Sequence, residues 1–178
     1  MFSMESISKK LPLFVLAIGL TLAACRSDKP SVQTTSPTAG IVGSWQLTKM
    51  KHGDYSGKSD SDGWMALLFQ GQRTTFDGRR FVSKSLYTFT DSKMTLVNFM
   101  YGAREYDEQN FDYKLDSGII VQSGGNGDGA KYKIESVDDK QMRLSEVDRD
   151  GDYMVLDKIP ADEVTKSLDG RKKSDTSF

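Results

Sequence analysis

Few residues in this chain could carry out chemistry, and its single cysteine stands in the most specific context. Cys25 follows a segment that begins with two lysines, continues as an apolar run over residues 11–21 and ends in Leu-Ala-Ala at residues 22–24. A basic start, a short apolar stretch and small residues at its end are typical of a secretory signal peptide. The run is too short to favour a membrane-spanning helix, which needs about 20 apolar residues. The sequence therefore predicts that residues 1–24 are a signal peptide.

The end of this segment resembles the lipobox of bacterial lipoproteins. The resemblance implies that Cys25 receives lipid and becomes the first residue of the mature protein. Each buried methylene contributes about 0.8 kcal/mol, so the several acyl chains of such lipoproteins would hold the protein on a membrane. Arg26 stands where Asp retains enteric lipoproteins in the inner membrane, which favours the outer membrane, facing the periplasm. The alternative is a secreted protein that is cleaved nearby, in which Cys25 is incidental.

The other candidates for catalysis or metal binding lie in polar loops. His52 is the only histidine, which excludes a multi-histidine metal site and makes Ser-His-Asp catalysis depend on a residue that we expect to be exposed. The acidic segments 60–63 and 148–152 have part of a calcium-loop pattern. In the second, Tyr153 stands where glycine is needed and Ile159 where glutamate is needed. We interpret both as turns, and we predict no metal, no cofactor and no catalytic residue.

Aromatic side chains recur at alternate positions of several segments and could line a cavity. A barrel of about eight strands has just enough interior for one small ligand, or for side chains alone, and both alternatives stay open here. Buried tyrosine hydroxyls need partners, so a cavity with several of them would suit a ligand that has a polar end. Trp45 is expected to be mainly structural. The candidate interior residues are Trp45, Tyr87, Phe89, Phe111, Tyr113, Tyr132 and Tyr153.

Composition argues for one exported domain that does not bind nucleic acid. Removal of residues 1–24 leaves 154 of 178 residues, enough for a single domain with a substantial core. That part has 22 Lys and Arg against 24 Asp and Glu, because the removed segment holds two lysines and one glutamate. Nucleic-acid binding would need a basic excess. With Cys25 modified, no thiol remains for a disulfide, so the apolar core must hold the fold.

The composition also divides the chain. Residues 25–39 are polar and rich in Ser, Thr and Pro, so we expect a flexible, lipidated tether. Residues 40–168 are expected to form the folded domain, and residues 169–178 a disordered tail.

Short segments of alternating polarity must position the aromatic side chains. Turns rich in Asp, Gly and Ser separate them, which indicates an antiparallel meander of about eight to ten strands. Such a sheet tends to close, because closure removes exposed edge strands. We therefore predict an all-β fold, an antiparallel up-and-down meander that closes into a barrel, with a short helix over residues 161–168.

Three segments depart from this regular pattern. Residues 52–63 are polar and glycine-rich, so we expect a long loop. Residues 64–70 are apolar and could be a short helix or a strand, lying as a lid on the barrel or packed against its wall. Residues 124–129 are expected to form a glycine-rich loop that does not bind phosphate, because no helix follows it.

The order of the segments resembles the lipocalin-like domain found in many bacterial lipoproteins. Gly43-Ser44-Trp45 stands in the first strand, as the Gly-x-Trp signature does in lipocalins, and residues 87–96, 111–115 and 132–144 continue the likeness. Lipocalins stack an arginine on the signature tryptophan. Here only Lys158 could substitute, and it has no planar guanidinium. Residues 64–80 fit the family poorly, so a short, open or distorted barrel is an alternative.

The resemblance implies a membrane-anchored barrel that binds a small apolar or amphipathic ligand. The alternative is a non-enzymatic envelope scaffold or interaction module with a filled core and an exposed apolar patch around residues 64–69. An enzyme is least favoured, because no nucleophile–base pair or metal-ligand set is visible. The oligomeric state and the identity of the ligand stay open.

Overall fold

The computed structural model describes residues 40–76, 79–80, 82–124 and 129–175. Cys25, together with the signal peptide and tether expected before residue 40, lies outside the described residues, as do residues 125–128 of the glycine-rich loop. Within these described ranges, no helix has both the length and the apolar character that a membrane crossing requires.

Short β-strands joined by tight turns make up most of the fold. The strands are β1 (Gly43–His52), β2 (Tyr55–Ser59), β3 (Met65–Phe69), β4 (Gln72–Arg73), β5 (Thr75–Phe76), β6 (Arg79–Arg80), β7 (Val82–Phe89), β8 (Lys93–Met100), β9 (Glu105–Asp116), β10 (Ile119–Ser123), β11 (Lys131–Val137), β12 (Gln141–Glu146), β13 (Tyr153–Ile159) and β14 (Lys172–Lys173). Helix α1 (Ala161–Leu168) lies between the last two. The prediction of an all-β antiparallel fold with a short helix near the C-terminus is confirmed.

The described strands close into a ring in which each strand pairs antiparallel with its neighbours. The order is β1, β2, β3, β7, β8, β9, β10, β11, β12 and β13, which pairs back with β1, so the ring has ten strands. The first half of β1 also pairs directly with β7, with Gly43 opposite Phe89 and Gln46 opposite Leu86. The β2–β3 hairpin is inserted only beside the second half of β1, where His52 lies opposite Tyr55.

This insertion gives the barrel two different ends. The end at which β1 begins is bounded by eight of the described strands, and we call it the narrow end. The end at which β1 finishes is bounded by ten, and we call it the wide end. Because the diameter of a barrel grows with strand number, the hairpin widens one end only. A distorted barrel was one of the alternatives that the sequence left open.

Inward side chains form the main core, and two bulges keep them pointing inward. Strict alternation would turn Met50 outward after Leu47, but the register of β1 against β13 shifts between Leu47 and Lys49. The register of β11 against β12 shifts in the same way after Ile134, so that Val137 packs against the main core inside the barrel. A bulge adds one residue to a strand and reverses the phase of the side chains that follow it.

A second, smaller core lies on the outside of the barrel. Leu86, Val97 and Phe99 are buried on the outer faces of β7 and β8. Val164 and Leu168 of α1 pack against them, together with Trp64 and two further apolar side chains. The two helix residues are four positions apart and therefore share one face of α1. Strands β7 and β8 are consequently buried on both faces.

The structure corrects two of the expectations for irregular segments. The expected loop over residues 52–63 contains strand β2, because this segment finds backbone partners on both β1 and β3. Gly57 suits that position, since a Cβ there would lie 2.6 Å from Met65 Sδ. The expected disordered tail contains strand β14, which pairs in parallel with β9, Lys172 lying opposite Glu105. Residues 176–178 of that tail lie outside the described residues. The apolar segment over residues 64–70 contains a strand, β3 (Met65–Phe69), and not a helix.

Candidate ligand-binding cavity

Trp45 fills the narrow end of the barrel. Its side chain is fully buried, and its indole Nε1–H donates to the carbonyl oxygen of Ile41 at 2.8 Å. Lys158 Nζ lies 5.0 Å from the centre of the Trp45 ring. Gly43 has φ +135°, and a Cβ there would lie 3.2 Å from Lys158 Cε, so glycine leaves room for the lysine stem. Lys158 therefore occupies the place over the tryptophan where the resemblance led us to look for an arginine.

The interior of the barrel contains a cavity of about 230 Å³ that is partly open to solvent. The sequence left open whether the interior is filled, and the structure shows that it is not. The wall is formed by inward side chains from strands on both sides of the ring. The lining residues are Tyr87, Phe89, Met94, Leu96, Gln109, Phe111, Ile120, Gln122, Tyr132, Leu144 and Met154.

The structure brings together four of the seven candidate interior residues around this cavity, namely Tyr87, Phe89, Phe111 and Tyr132. Trp45 and Tyr113 belong to the interior core but do not line the cavity. The Tyr113 hydroxyl donates to the carbonyl oxygen of Thr90, which ties it to the β7–β8 turn at the narrow end.

Tyr153 is the one candidate that we placed wrongly. Its ring lies on the outer face of β13, with Arg143 Cζ 4.2 Å and Lys49 Nζ 5.6 Å from its centre. Met154, the next residue, points inward and lines the cavity. Both faces of β13 carry apolar side chains, so alternation alone could not decide which face is inside.

Sequence reasoning missed the polar side chains of the cavity wall. Gln122 is only 4% exposed, and its carboxamide has no hydrogen-bond partner among the residues that the structure describes. Gln109, Tyr87 and Tyr132 line the same space. The signal was present, because Gln122 alternates with the buried Ile120 and Gln109 with the buried Phe111. Because polar residues usually face outward, we did not assign these two glutamines to the inner face.

The tyrosine hydroxyls of the cavity are held in their neutral form. Burial raises the pKa of Tyr87 well above its ordinary range, and the neighbouring Tyr132 adds to the effect. Burial also raises the pKa of Tyr132, as does the Glu146 carboxylate, while Arg149 opposes the rise. Among the described residues the Tyr87 hydroxyl donates to Met154 Sδ, at 3.7 Å, and a thioether is a weak acceptor.

The acidic cluster at the wide end is the arrangement closest to a metal site within the described ranges. His52 Nδ1 lies 3.4 Å from a Glu146 oxygen and 3.3 Å from an Asp152 oxygen. However, Arg149 Nη1 lies 2.8 Å from His52 Nε2, and both Asp152 oxygens accept the N–H of Gly53 at 2.9 and 3.0 Å. The cluster therefore holds the β1–β2 turn against the loop that precedes β13, and we assign it that structural role.

The other acidic segment is a turn. Asp60 Oδ1 accepts the backbone N–H groups of Asp62 at 3.0 Å and Trp64 at 2.8 Å, which shapes the connection between β2 and β3.

Comparison with known proteins identifies the class to which this barrel belongs. The family model described as "Lipocalin-like domain" matches residues 41–144, more than half of the 178-residue chain. The chain therefore belongs to the lipocalin-like family, whose members are generally binding proteins and not enzymes. Searches of curated proteins and of solved structures gave no match.

Proposed function

We propose that this protein binds a small, largely apolar molecule inside its barrel. The observation that carries the proposal is the cavity of about 230 Å³ in the interior of a lipocalin-like domain. Its wall combines aromatic and aliphatic side chains with a few polar groups, the usual composition of a small-molecule site. The size is below the usual range of about 300 to 1,000 Å³ for drug-sized ligands, so the ligand is small.

A variant that fills the cavity tests this proposal. In Leu144→Phe the added ring occupies space that the ligand would use, because Leu144 lines the cavity. We expect naphthalene, measured by isothermal titration calorimetry, to bind the unmodified domain and to lose about tenfold or more in affinity in the variant, equal to about 1.4 kcal/mol. Leu68→Phe is the control, since Leu68 lies on β3 outside the interior core. Absence of naphthalene binding, or equal loss in both variants, contradicts the proposal.

We further infer that the protein is exported and held at the bacterial cell envelope by lipid on Cys25. Support comes from the basic start, the apolar run and the Leu-Ala-Ala-Cys ending, which together resemble a lipoprotein signal. Arg26 favours the outer membrane, with the domain facing the periplasm. The ligand would then be captured near a membrane surface.

Membrane fractionation tests the anchor. Cys25→Ser removes the only thiol in the chain, so we expect the protein to move from the membrane fraction to the soluble fraction. Ser31→Ala, in the same polar segment, should leave it on the membrane. Continued sedimentation of the Cys25→Ser protein with membranes contradicts lipid anchoring and leaves the ligand proposal untouched.

One observation favours a second function, attachment to another protein through the wide end. The large apolar side chains that are most exposed in the described ranges all lie there, namely Tyr55, Phe69, Met100, Tyr101 and Val147. The patch differs from the expected one, because Trp64 packs beneath Tyr101 and against Phe99. A photo-crosslinker at Tyr101 should then capture one discrete envelope protein, whereas one at Ser117, at the narrow end, should not. Equal labelling from both positions contradicts this function.

A further inference from the structure

We propose that the ligand carries an uncharged hydrogen-bonding group, which pairs with Gln122 and the neighbouring tyrosine hydroxyls. This inference rests on the proposed function, and it adds the chemical class of the ligand. It starts from Gln122, a residue that is only 4% exposed and lines the cavity.

The Gln122 carboxamide faces the cavity and lacks a partner there. Its backbone is used, since N–H donates to Ala130 and C=O accepts from Gly129, but its side chain has no hydrogen bond within the described part of the chain. In those same residues, no fully enclosed side-chain nitrogen or oxygen is without a partner. Gln122 lines the cavity, so the cavity is the space that this amide adjoins. An amide offers two donors and an acceptor, and leaving them unused costs about 1 to 3 kcal/mol.

Two tyrosines share the cavity wall with this amide. Ile120 of β10 is paired with Tyr132 of β11, so Gln122 and Tyr132 are diagonal neighbours on the inner face. Diagonal neighbours on a sheet are roughly 7 to 8 Å apart. Because both side chains are long, a single polar group between them can contact both. The Tyr132 hydroxyl is close enough to Tyr87 to influence its ionisation. Among the described residues Tyr87 donates to the weak acceptor Met154 Sδ, at 3.7 Å. The polar groups of the wall therefore come from both sides of the ring, Gln122 and Tyr132 from β10 and β11 and Tyr87 from β7.

The charge distribution indicates that the polar group is neutral. No charged residue is among the described residues that line the cavity. Of the charges that act on Tyr132, the Glu146 carboxylate has the largest effect, and it would repel an anion. Arg149 offsets it from the exposed side of the wide end, but it does not reach the cavity wall. Burial of a charge without a partner costs several kcal/mol. A hydroxyl, carbonyl or amide on a ring-sized apolar body fits this wall, whereas a carboxylate does not.

Three probes of one shape separate the alternatives, namely naphthalene, naphthol and naphthoate, titrated calorimetrically into the purified domain. We expect naphthol to bind about five- to tenfold more tightly than naphthalene, as one or two net hydrogen bonds allow. Naphthoate should bind at least about tenfold more weakly than naphthol.

Two variants then assign the polar contact. Gln122→Leu has nearly the same shape, so naphthol affinity should fall most of the way to that of naphthalene, while naphthalene affinity stays the same or improves. Tyr132→Phe should give a partial loss for naphthol only, which keeps the test decisive if Gln122→Leu folds poorly. Gln72→Leu, an exposed glutamine on β4, is the control and should change neither affinity.

The possible failures are distinguishable. If naphthalene and naphthol bind equally and neither cavity variant changes their ratio, the polar contact is wrong and the proposed function survives. If naphthoate binds most tightly, the neutral class is wrong. If none of the three probes binds the unmodified domain, the proposed function fails, and this inference fails with it.

Discussion

Lys158 and Gln122 show how single side chains set the properties of this barrel. Lys158 lies over the Trp45 ring at 5.0 Å and supplies a cation where the family resemblance led us to look for an arginine. Gln122 places an amide at the wall of an otherwise largely apolar cavity. The first side chain acts on stability at the narrow end, and the second acts on what the interior can hold.

We predict that the Lys158–Trp45 contact stabilises the fold modestly. Lys158→Met keeps an apolar stem but removes the charge, so the free energy of unfolding should fall by about 0.5 to 1 kcal/mol. Lys158→Arg should retain or increase stability, because a guanidinium stacks on an indole ring. Urea denaturation of both variants, with Lys140→Met as an exposed control, measures this difference. Equal stability of Lys158→Met and the unmodified protein would rule the contact out as a stabilising one.

The buried tyrosines predict a loss of stability in alkali. In the unfolded chain a tyrosine ionises near pH 10, whereas burial raises the pKa of Tyr87 in the folded state. Above about pH 10 the unfolded state therefore loses protons that the folded state keeps, and the free energy of unfolding falls by up to about 1.4 kcal/mol per pH unit for this residue. Below that pH both states are neutral and the contribution is constant.

Denaturant unfolding at a series of alkaline pH values measures this slope. Tyr87→Phe should unfold with a shallower dependence on pH than the unmodified protein, because it has no proton to lose. Identical slopes for the two proteins would contradict burial of the Tyr87 hydroxyl.

Alternation along straight strands was enough to predict part of the cavity wall. Tyr87 and Phe89 flank the polar Thr88 on β7, and Phe111 lies between Asn110 and Asp112 on β9, so these three could be assigned to the inner face. Tyr153 could not, since both faces of β13 are apolar and the position is decided by packing between Lys49 and Arg143. Gln122 could not either, because its burial depends on closure of the sheet, which no local pattern encodes.

Among the strands and the helix, the β2–β3 hairpin and α1 depart most from a simple meander. The hairpin is inserted beside the second half of β1 and separates it from β7 at the wide end. Strand β2 has few strand-forming residues, and its conformation is imposed by its partners on either side. Context of this kind overrides local propensity, which explains why the sequence suggested a loop. The bulge after Leu47 also depends on the pairing of β1 with β13, so the sequence of β1 alone did not predict it.

Helix α1 is predicted to stabilise the barrel by covering its outer wall. Val164 and Leu168 pack over Leu86, Val97 and Phe99, which would otherwise face water. The double variant Val164→Ala and Leu168→Ala should lower the free energy of unfolding by about 2 kcal/mol, less than for fully buried residues because both are half-buried.

Thermal and denaturant unfolding check this value. Thr165→Ala, on the exposed face of the same helix, should change stability by less than about 0.5 kcal/mol. If the double variant is as stable as this control, α1 does not contribute to the fold in the way that its contacts indicate.

As a whole, the molecule is a lipocalin-like barrel whose narrow end is filled by Trp45 and whose interior keeps a cavity. The sequence was sufficient for the all-β class, because alternation and turn residues are local signals. It was not sufficient for the cavity, which is the difference between the volume that ten strands enclose and the volume that their side chains fill. Only the closed structure gives that difference.

Methionine methyl groups offer the most direct test of ligand binding inside the barrel. Met94 and Met154 line the cavity, whereas Met100 is exposed at the wide end. In protein with isotope-labelled methionine methyls, titration with naphthalene should move the nuclear magnetic resonance signals of Met94 and Met154 together and leave that of Met100 in place. Shifts at Met100 alone, or no shift at any of the three up to the solubility limit of the probe, would contradict binding in the cavity.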